Sequence, residues 1–411
     1  MSNRRTFIKQ TLGGSAALVA SGILPASRVL GANDRIRIGL IGGGDRGQEI
    51  FRAAIRCPNV EAVGVADVYT RRLGEVKAIV PSIKTYQDFR QLLDDKSIDA
   101  VLIATPQHLH ALHFVPAIEA GKDVYQEKTM AFNPDHARRM KKAFEKSDRV
   151  VQVGMQATSA PGMARIRALA TPEKIGDISA LHTHHYRNAR HGGWLRQIPA
   201  DCNPEHVDWK AFQGEAKDYP WDPQRFINWR FFWDYDGSNV YENMVHQVGF
   251  WYKALDFKIP DSVTMTGANL LSPKMQVPDT IDISMLQGKI LFTWNSMFGN
   301  DFYGEGHDML FGTKGMIARN EGDQVRFLAE GGEARGVETL ASAPVEGGQT
   351  RGYFEATDTH MQNFFDCVRS RKQPTAPFEL GYRAAIACQM SIASYHHKRA
   401  VRWDAKTEDI V

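Results

Sequence analysis

A glycine cluster near the amino end constrains this chain more than any other feature. Residues 35–41 (RIRIGLI) alternate in the manner of a β-strand, and residues 42–47 (GGGDRG) follow directly, before a helical stretch. In such a pattern Gly42 permits a tight turn, Gly44 lets the backbone approach a pyrophosphate, and Gly47 allows close helix–strand packing. Phosphates are favoured there because the helix N-terminus presents free N–H groups and a positive dipole end. The cluster predicts a dinucleotide-binding turn.

A second strand, residues 61–67 (EAVGVAD), ends at Asp67, which lies 20 residues after Gly47. A carboxylate at this position binds the ribose hydroxyls of NAD and repels a 2′-phosphate. Arg71 and Arg72 are close enough to bind such a phosphate, so NADP remains an alternative. Without Asp67, the glycine cluster could equally be an ordinary glycine-rich turn.

The alternation of strands and helices that follows is typical of a parallel, doubly wound sheet. Further strands are predicted at residues 100–106, 123–127 and 150–154, and helices at 88–93, 109–120 and 134–145. Asn133 and Pro134 supply an N-cap and a first-turn proline for the last of these helices.

After Gly176 the sequence pattern changes to segments in which apolar and polar residues alternate, separated by short turns. This pattern predicts a large, mainly antiparallel, open sheet. These segments are residues 178–186, 262–268, 280–287, 291–296, 308–311 and 324–328. Helices are predicted at residues 241–255, 359–371 and 378–395. The fold class is therefore α/β for the first part, followed by an α+β domain.

A chain of 411 residues is too long for one compact core and suits two domains. We expect residues 33–155 to form the dinucleotide-binding domain and residues 156–411 the substrate-binding, catalytic domain. The C-terminal helices are candidates for packing back on the first domain.

The first 32 residues have the composition of an export signal. Arg4 and Arg5 are followed by Phe7 and Lys9, and the apolar run at residues 11–24 is too short to span a bilayer. This resembles a twin-arginine signal, an address read by the export machinery, and predicts a periplasmic or secreted protein. We place cleavage near residue 32. A basic amphipathic helix on a cytoplasmic protein and an uncleaved anchor are the alternatives.

Charge and cysteine content exclude several classes of protein. The formal net charge of +3 falls to −1 without the four basic residues of the first 32, which gives no electrostatic case for nucleic acid. The four cysteines are scattered without a CxxC pair, so a zinc ribbon or a disulfide framework is not expected. No other apolar run approaches membrane-spanning length, so no stable span is expected in the mature protein.

Several segments resemble the glucose–fructose oxidoreductase/inositol dehydrogenase (Gfo/Idh/MocA) family. Residues 105–110 (TPQHLH) resemble its TPNHLH loop, and residues 120–128 (AGKDVYQEK) resemble its AGKxVxxEKP segment. The resemblance continues through residues 277–280 (VPDT), 312–315 (GTKG), 363–370 (NFFDCVRS) and 401–404 (VRWD). It implies a Rossmann domain, NAD or NADP as cofactor, and a carbohydrate substrate. Family members commonly form homo-oligomers through the open sheet, so we expect one here.

The resemblance also implies the residues that contact the cofactor. These are Gly42, Gly44, Asp45, Arg46, Gly47, Asp67, Thr105, Pro106, His110, Glu127 and Lys128. The family's EKP is here EKT, and relatives often have a cis bond after the lysine. Because a cis bond before a residue other than proline costs about 3–4 kcal/mol, we expect a trans bond before Thr129.

Oxidation of a sugar hydroxyl requires a base for its proton and a donor that steadies the developing alkoxide. Family enzymes use the EKP lysine and a DxxxH pair, which matches Glu242 and His246 here. Spacing of four puts the pair on one helical face. The predicted catalytic residues are His246 as acid/base, Lys128 as hydroxyl polariser, and Glu242 as the group that orients His246. A surface Glu–His pair and a solvated lysine are the alternatives.

Aromatic, arginine and histidine side chains on both sides of this segment suit the binding of a pyranose. The predicted substrate contacts are His184, Tyr186, Arg190, Trp194, Trp229 and Arg230, with a packed loop core as the alternative. His182 and His184 could form a metal site with Glu242, but nothing fixes a third or fourth ligand, so no metal is expected.

Three functions remain open from the sequence. The first is an oxidoreductase acting on a sugar, polyol or sugar derivative. The second is a redox-assisted glycosidase, similar to certain NAD-dependent α-N-acetylgalactosaminidases of the family. The third is a non-catalytic dinucleotide-binding protein. Because an exported enzyme has no dependable pool of free NAD, we expect the cofactor to be tightly bound.

Overall fold

The computed structural model describes residues 35–189, 193–301, 308–320, 324–331, 338–340 and 351–411. The segment predicted to be an export signal and the predicted substrate contact Arg190 lie outside these residues. Residues 36–411 form one compact unit.

The first half of this unit is built on a six-stranded sheet. Its strands are β1 (Ile36–Ile41), β2 (Val60–Ala66), β3 (Lys84–Tyr86), β4 (Ala100–Ile103), β5 (Asp123–Gln126) and β6 (Val151–Val153). All neighbours pair in parallel, in the order β3-β2-β1-β4-β5-β6. The predicted doubly wound sheet is confirmed. Its strand order reverses between β1 and β4, the point at which such sheets bind ligands.

Five helices connect these strands: α1 (Asp45–Arg56), α2 (Thr70–Ile79), α3 (Phe89–Asp94), α4 (His110–Glu119) and α5 (Pro134–Phe144). The sequence explains the start of α5, where the Asn133 side chain accepts a hydrogen bond from His136 N and Pro134 occupies the first turn. Ala137 and Met140 are buried on one face of this helix.

The second half is built on an eight-stranded sheet. Its strands are β7 (Ile178–Tyr186), β8 (Ser262–Ala268), β9 (Thr280–Gln287), β10 (Ile290–Met297), β11 (Asp308–Gly312), β12 (Gly315–Arg319), β13 (Val325–Ala329) and β14 (Glu338–Leu340). The order is β14-β13-β12-β11-β7-β10-β9-β8, and only the β7–β10 pair is parallel. The predicted, mainly antiparallel sheet is confirmed. Two short strands, β15 (Trp403–Asp404) and β16 (Asp409–Ile410), form a separate hairpin.

The helices of the second half are α6 (Gly162–Leu169), α7 (Trp209–Gln213), α8 (Pro223–Ile227), α9 (Val245–Leu255), α10 (Arg351–Ser370) and α11 (Phe378–His397). The buried residues of α9 and α11 share one core with the inner face of the second sheet. By contrast, Met361, Phe364 and Phe365 of α10 join the core of the first sheet, alongside Ile50 and Phe51 of α1. The helix α10, which follows the second sheet in sequence, therefore packs against the first half of the unit.

The faces of the second sheet differ because successive side chains of a strand point to opposite sides. On β7, Leu181, Thr183 and His185 are buried, whereas His182 is exposed and His184 partly exposed. On β10, Phe292 and Trp294 are buried in the same way. The inner face therefore carries the odd-numbered residues of β7, and the outer face the even-numbered ones.

Residues 193–236 form a strap that connects the second sheet to the rims of the first. The strap carries its own small aromatic core, in which Phe212, Phe226 and Tyr235 pack with Tyr69 from the start of α2. Asp208 N donates to Val68 O (2.9 Å), and Thr70 N donates to His206 O (3.0 Å). These contacts join the strap to the carboxyl end of β2, where Asp67 lies.

All four cysteines are buried, and none forms a disulfide. Burial raises the pKa of the Cys57 and Cys202 thiols to about 11 and also raises the pKa of Cys367 and Cys388. Among the described helices, none is both long enough and apolar enough to cross a membrane.

Candidate active site

The glycine turn has the geometry that its sequence predicts. Gly42 has φ of 95°, a conformation that other residues rarely adopt. A Cβ on Gly47 would lie 1.9 Å from Gly42 O, so this position requires glycine. A Cβ on Gly44, the N-cap of α1, would meet nothing within 4 Å. The space beside Gly44 and the free N–H groups of α1 therefore fit a dinucleotide pyrophosphate.

Asp67 lies at the end of β2 with both carboxylate oxygens bound to backbone. Oδ2 accepts from Gly43 N (2.7 Å), and Oδ1 accepts from Tyr69 N (2.8 Å). Burial raises the pKa of this carboxyl to about 6, although the two N–H donors oppose that shift. At neutral pH the group is an anionic acceptor at the place where ribose hydroxyls are expected.

Arg71 and Arg72, which kept NADP as an alternative cofactor, both have carboxylate partners in the structure. Arg72 lies 2.7 Å from Glu75 and 3.1 Å from Asp45. Arg71 lies 3.0 Å from Glu75 and 2.9 Å from Asp201 of the strap. A 2′-phosphate would have to compete with these acidic groups as well as with Asp67.

A cavity of about 980 Å³ extends from Asp67 to Glu242. Most of the predicted cofactor contacts line it, namely Gly42, Gly44, Asp45, Arg46, Asp67, Thr105, Pro106, Glu127 and Lys128. His110 is different, because its ring is fully buried and bonds Thr129 O and Thr105 O, both at 2.8 Å. The prediction that His110 contacts the cofactor is therefore replaced by a role in fixing the two loops that do.

Lys128 follows β5 and reaches the far end of this cavity, where its Nζ lies 3.0 Å from Glu242 Oε2. The Lys128–Thr129 peptide is cis, so the expected trans bond was wrong. Thr129 is held on both sides, since its hydroxyl donates to Tyr241 O (2.8 Å) and its carbonyl accepts from His110.

Glu242 binds Lys128 rather than His246. Its Oε2 also lies 3.2 Å from Arg230 Nε, and its Oε1 accepts from Gln107 Nε2. Burial opposes ionisation, but Arg230 and Lys128 outweigh it and hold the pKa of Glu242 below its usual range. The predicted orientation of His246 by Glu242 is thus replaced by the fixing of a lysine and an arginine.

The backbone explains this difference. Residues Val240–Met244 form a π-helix that continues into α9, so the α-helical spacing assumed for Glu242 and His246 does not hold. A π-turn has more residues per turn than an α-helix, and such turns are frequent at functional sites.

His246 lies close enough to the charged cluster to feel its charges, although it is not among the residues that line the cavity. Burial, followed by the nearby cations Lys128 and Arg46, holds the pKa of its imidazole well below the usual range, while Glu242 opposes the shift. The residue as a whole is partly exposed. It is therefore neutral at physiological pH, the form that can accept a proton.

Three of the predicted substrate contacts meet at this end of the cavity: Trp194, Trp229 and Arg230 line it. The Arg230 guanidinium lies over the Trp229 ring at 4.1 Å and over the Trp194 ring at 5.9 Å. Arg187 also lies over Trp194, at 5.3 Å. Flat aromatic faces beside arginines can stack on a sugar ring and bond its hydroxyls.

His184 and Tyr186 are not placed as predicted. Their rings stack on each other at 4.4 Å on the outer face of the second sheet, away from Glu242. The inner position belongs to His185, which bonds Arg187 at 2.7 Å and lies close enough to His246 to influence its charge. The same geometry places His182 and His184 on the outer face of the sheet, opposite to the face that carries His185. Within the described residues, no group of three or more metal-ligating side chains occurs.

Sequence reasoning missed Gln107 and Asp236. Gln107 replaces the asparagine of the family loop, and Glu242 replaces the family aspartate. In the structure these two side chains are hydrogen-bonded to each other. Two replacements that each lengthen a side chain by one methylene could have suggested this contact from the sequence. Asp236 is 1% exposed and lies beside the Glu242 cluster, but nothing in its sequence context distinguished it from a turn residue.

Comparisons with known proteins agree with this geometry. Residues 36–155 match the Gfo/Idh/MocA model, described as an oxidoreductase family with an NAD-binding Rossmann fold. The chain is 22% identical over 370 residues to the inositol 2-dehydrogenase of Salmonella typhimurium, covering 87% of this chain and 94% of that one. It is 36% identical over 129 residues to a glycosyl hydrolase family 109 protein of Stenotrophomonas maltophilia, covering 29% and 28% of the two chains.

The fold is similar to that of levoglucosan dehydrogenase in complex with NADH and levoglucosan, with a TM-score of 0.70 and 20% identity. The likeness covers 90% of this chain and 99% of that one. The predicted use of NAD is confirmed by the family match, and the glycine turn and Asp67 supply the matching geometry. Residues 36–155 thus match the NAD-binding Rossmann fold of the Gfo/Idh/MocA family, and the protein is an NAD-binding oxidoreductase.

Proposed function

We propose that the protein oxidises a secondary hydroxyl of a sugar, polyol or sugar derivative and keeps its nicotinamide cofactor between cycles. The observation that carries the first part is the convergence of Lys128, Glu242 and Arg230 beside Trp194 and Trp229, at the opposite end of the cavity from Asp67. An ammonium group and an aromatic–arginine wall suit a polyhydroxylated ring.

The nicotinamide supplies the hydride acceptor when NAD is bound. The remaining chemistry belongs to the protein. Lys128, held in place by Glu242, donates a hydrogen bond to the reacting hydroxyl and stabilises the alkoxide that develops on it. His246, neutral because of its surroundings, accepts the hydroxyl proton.

The strap supports the second part of the proposal. Asp201 binds Tyr69 Oη (2.8 Å) and Arg71 next to the ribose carboxylate, and Arg196 lies 3.0 Å from Asp45 in the first turn of α1. On the opposite rim, Glu215 binds Arg139 at 2.8 Å. Release of a cofactor from this cavity would require several of these contacts to open.

Extensive dialysis of the purified enzyme tests retention. We expect nicotinamide absorbance or fluorescence to stay with the protein, and turnover to proceed without added NAD. Retention requires that the hydride be passed to a second substrate or returned to the same sugar. An enzyme isolated empty and active only with millimolar added NAD would contradict this part of the proposal.

A redox-assisted glycosidase is the second candidate, and the 36% identity to a glycosyl hydrolase family 109 protein favours it. In that chemistry, transient oxidation acidifies the neighbouring C–H, elimination breaks the glycosidic bond, and the hydride is then returned. Incubation with aryl glycosides separates the two candidates. Phenol release without net NADH would identify the glycosidase, whereas NADH formation without phenol would identify the dehydrogenase.

Export and assembly complete the proposal. The arginine pair near the amino end supports passage through the twin-arginine route, and replacement of Arg4 and Arg5 by lysine should retain the enzyme in the cytoplasm.

The outer face of the second sheet supports a homo-oligomer. It carries a row of apolar residues that pair directly across six strands: Leu286, Leu291, Ala180, Phe311, Met316 and Leu328. Apolar side chains on an open sheet face favour association through that face. Light scattering after gel filtration should give more than one chain per particle, and Leu291→Glu should reduce that number.

A further inference from the structure

Asp236 is a buried carboxyl that the proposed mechanism does not use. It is 1% exposed, and neither of its side-chain oxygens has a hydrogen-bond partner among the described residues. The N–H of Gly237 favours the ionised form of the carboxyl. Glu242, in contrast, is bound by Lys128, Arg230 and Gln107. Leaving a carboxyl buried without partners is costly, so its presence calls for a functional reason.

The chain fixes Asp236 between two elements of the active site. The turn that carries it joins the 3₁₀-helix Trp229–Phe231, which contains Arg230, to the π-helix that contains Glu242. Asp236 N donates to Phe232 O (3.1 Å). A Cβ on Gly237 would lie 2.5 Å from the Tyr241 ring, so this ring packs directly against the turn.

The charged groups that face Asp236 are those of the catalytic cluster. Burial, followed by repulsion from Glu242, raises the pKa of Asp236 well above its usual range, while Arg230 and Lys128 oppose that shift. The uncharged phenol of Tyr241 also faces it. The balance between its two protonation states therefore depends on the total positive charge near Lys128. Nicotinamide carries a positive charge in NAD⁺ and loses it in NADH.

We propose that Asp236 stores the substrate proton, being ionised while the cofactor is NAD⁺ and protonated while it is NADH. The dependence on cofactor charge follows from the cluster alone, and only the source of the proton depends on the function proposed above.

The step balances in atoms and charge. The substrate C–H bond breaks and its hydride, with both electrons, goes to NAD⁺. The O–H bond breaks, a C=O bond forms, and the proton passes to His246 and is finally held on the Asp236 carboxylate. The products are a carbonyl, NADH and protonated Asp236. When the hydride is returned to a carbonyl, the same proton is available to complete the alcohol. A cofactor that stays on the enzyme would thus be matched by a proton that also stays.

Infrared difference spectroscopy on the holoenzyme tests this without any sugar. Bound NAD⁺ is reduced with dithionite, and the protonated-carboxyl C=O band is followed in H₂O and D₂O. We expect the wild type to gain one such band per active site on reduction, shifted in D₂O. Asp236→Asn should gain none. Asp234→Asn is the matched control, because Asp234 lies two residues away and pairs with Arg225 at 2.9 Å; it should gain the band as the wild type does.

The proposal is overturned if the wild type gains no band, or if Asp236→Asn gains the same band as the wild type. The first outcome does not depend on whether the variant folds. Neither outcome affects the proposed sugar oxidation, because the measurement requires only that the nicotinamide be bound and reduced.

Discussion

The two ends of the cavity are assembled in different ways. At the cofactor end, a single run of six residues, 42–47, sets the turn, the helix start and the open space beside Gly44. At the substrate end, Lys128 is more than a hundred residues away in sequence from Arg230 and Glu242. The three side chains meet only through tertiary packing. The cofactor end is thus a local property of the chain, and the substrate end is a property of the whole fold.

The largest expected effect is the loss of turnover when a charged or basic side chain at the substrate end is removed. We expect Lys128→Met and His246→Ala each to lower turnover by about 10²–10⁴, the range typical of acid–base groups. NAD binding, measured by fluorescence titration, should persist because the glycine turn and Asp67 are untouched. Lys96→Met, at an exposed site, is the control. Unchanged turnover in His246→Ala would transfer the role of base to another residue, with Lys128 the first to be tested.

The cofactor end should fail at one glycine and merely weaken at another. Gly47→Ala forces its Cβ against Gly42 O, so we expect a loss in the free energy of unfolding of about 3 kcal/mol or more. Gly44→Ala meets no protein atom and should keep the wild-type stability while binding NAD more weakly. Denaturant unfolding of the cofactor-free proteins measures the first effect. Equal stability of the two variants would show that the turn can relax.

Cofactor affinity should depend on pH through Asp67. Binding to ribose hydroxyls favours the carboxylate, so lowering the pH through about 6 protonates the free enzyme and opposes binding. Below that pH, affinity should fall by at most about tenfold per pH unit. Titrations of NAD affinity between about pH 5 and about pH 8 would reveal the trend. In Asp67→Asn, binding should be weaker and this dependence absent; a persistent slope would assign it to another group.

The smallest expected effect is on cofactor release, when a single ion pair between the strap and α1 is removed. The Arg196–Asp45 pair is half-exposed on both sides, and such pairs contribute about 0.2–1 kcal/mol. Arg196→Ala should therefore speed release of bound NADH by only a few-fold, as followed by its fluorescence. Arg56→Ala breaks a comparably exposed Arg–Asp pair far from the cavity and should leave release unchanged. Equal rates in the two variants would mean that this strap contact does not hold the cofactor.

The cofactor half could be predicted closely because its determinants are local. The first strand, the glycine cluster and Asp67 lie within one short stretch of the chain. The local backbone geometry at these positions is enough to form the dinucleotide-binding turn. The capped start of α5 at Asn133 was predictable for the same reason. The role of His110 was predicted wrongly because a side chain in the first turn of a helix can face either the ligand or the loop behind it.

The substrate half shows where local patterns stop being informative. Strand β7 has histidines on both of its faces, and a shift of the strand by one residue would exchange the two faces. The alternating pattern therefore could not show whether His184 or His185 points to the inner face of the sheet. The spacing of Glu242 and His246 suggested one α-helical face, but packing against Thr129 and Gln107 accompanies a π-helix there. Asp236 could not be identified, because its burial depends on elements distant in sequence.

The four buried thiols bear on the proposed export of the protein from a reducing compartment. Thiolates are the reactive form of cysteine, and burial keeps these four groups protonated and covered. An oxidising environment therefore finds little to react with, and the folded chain can pass from one redox environment to another with its covalent structure unchanged. Maturation would then need no disulfide isomerase, and any thiol that becomes alkylated would mark a molecule that had opened.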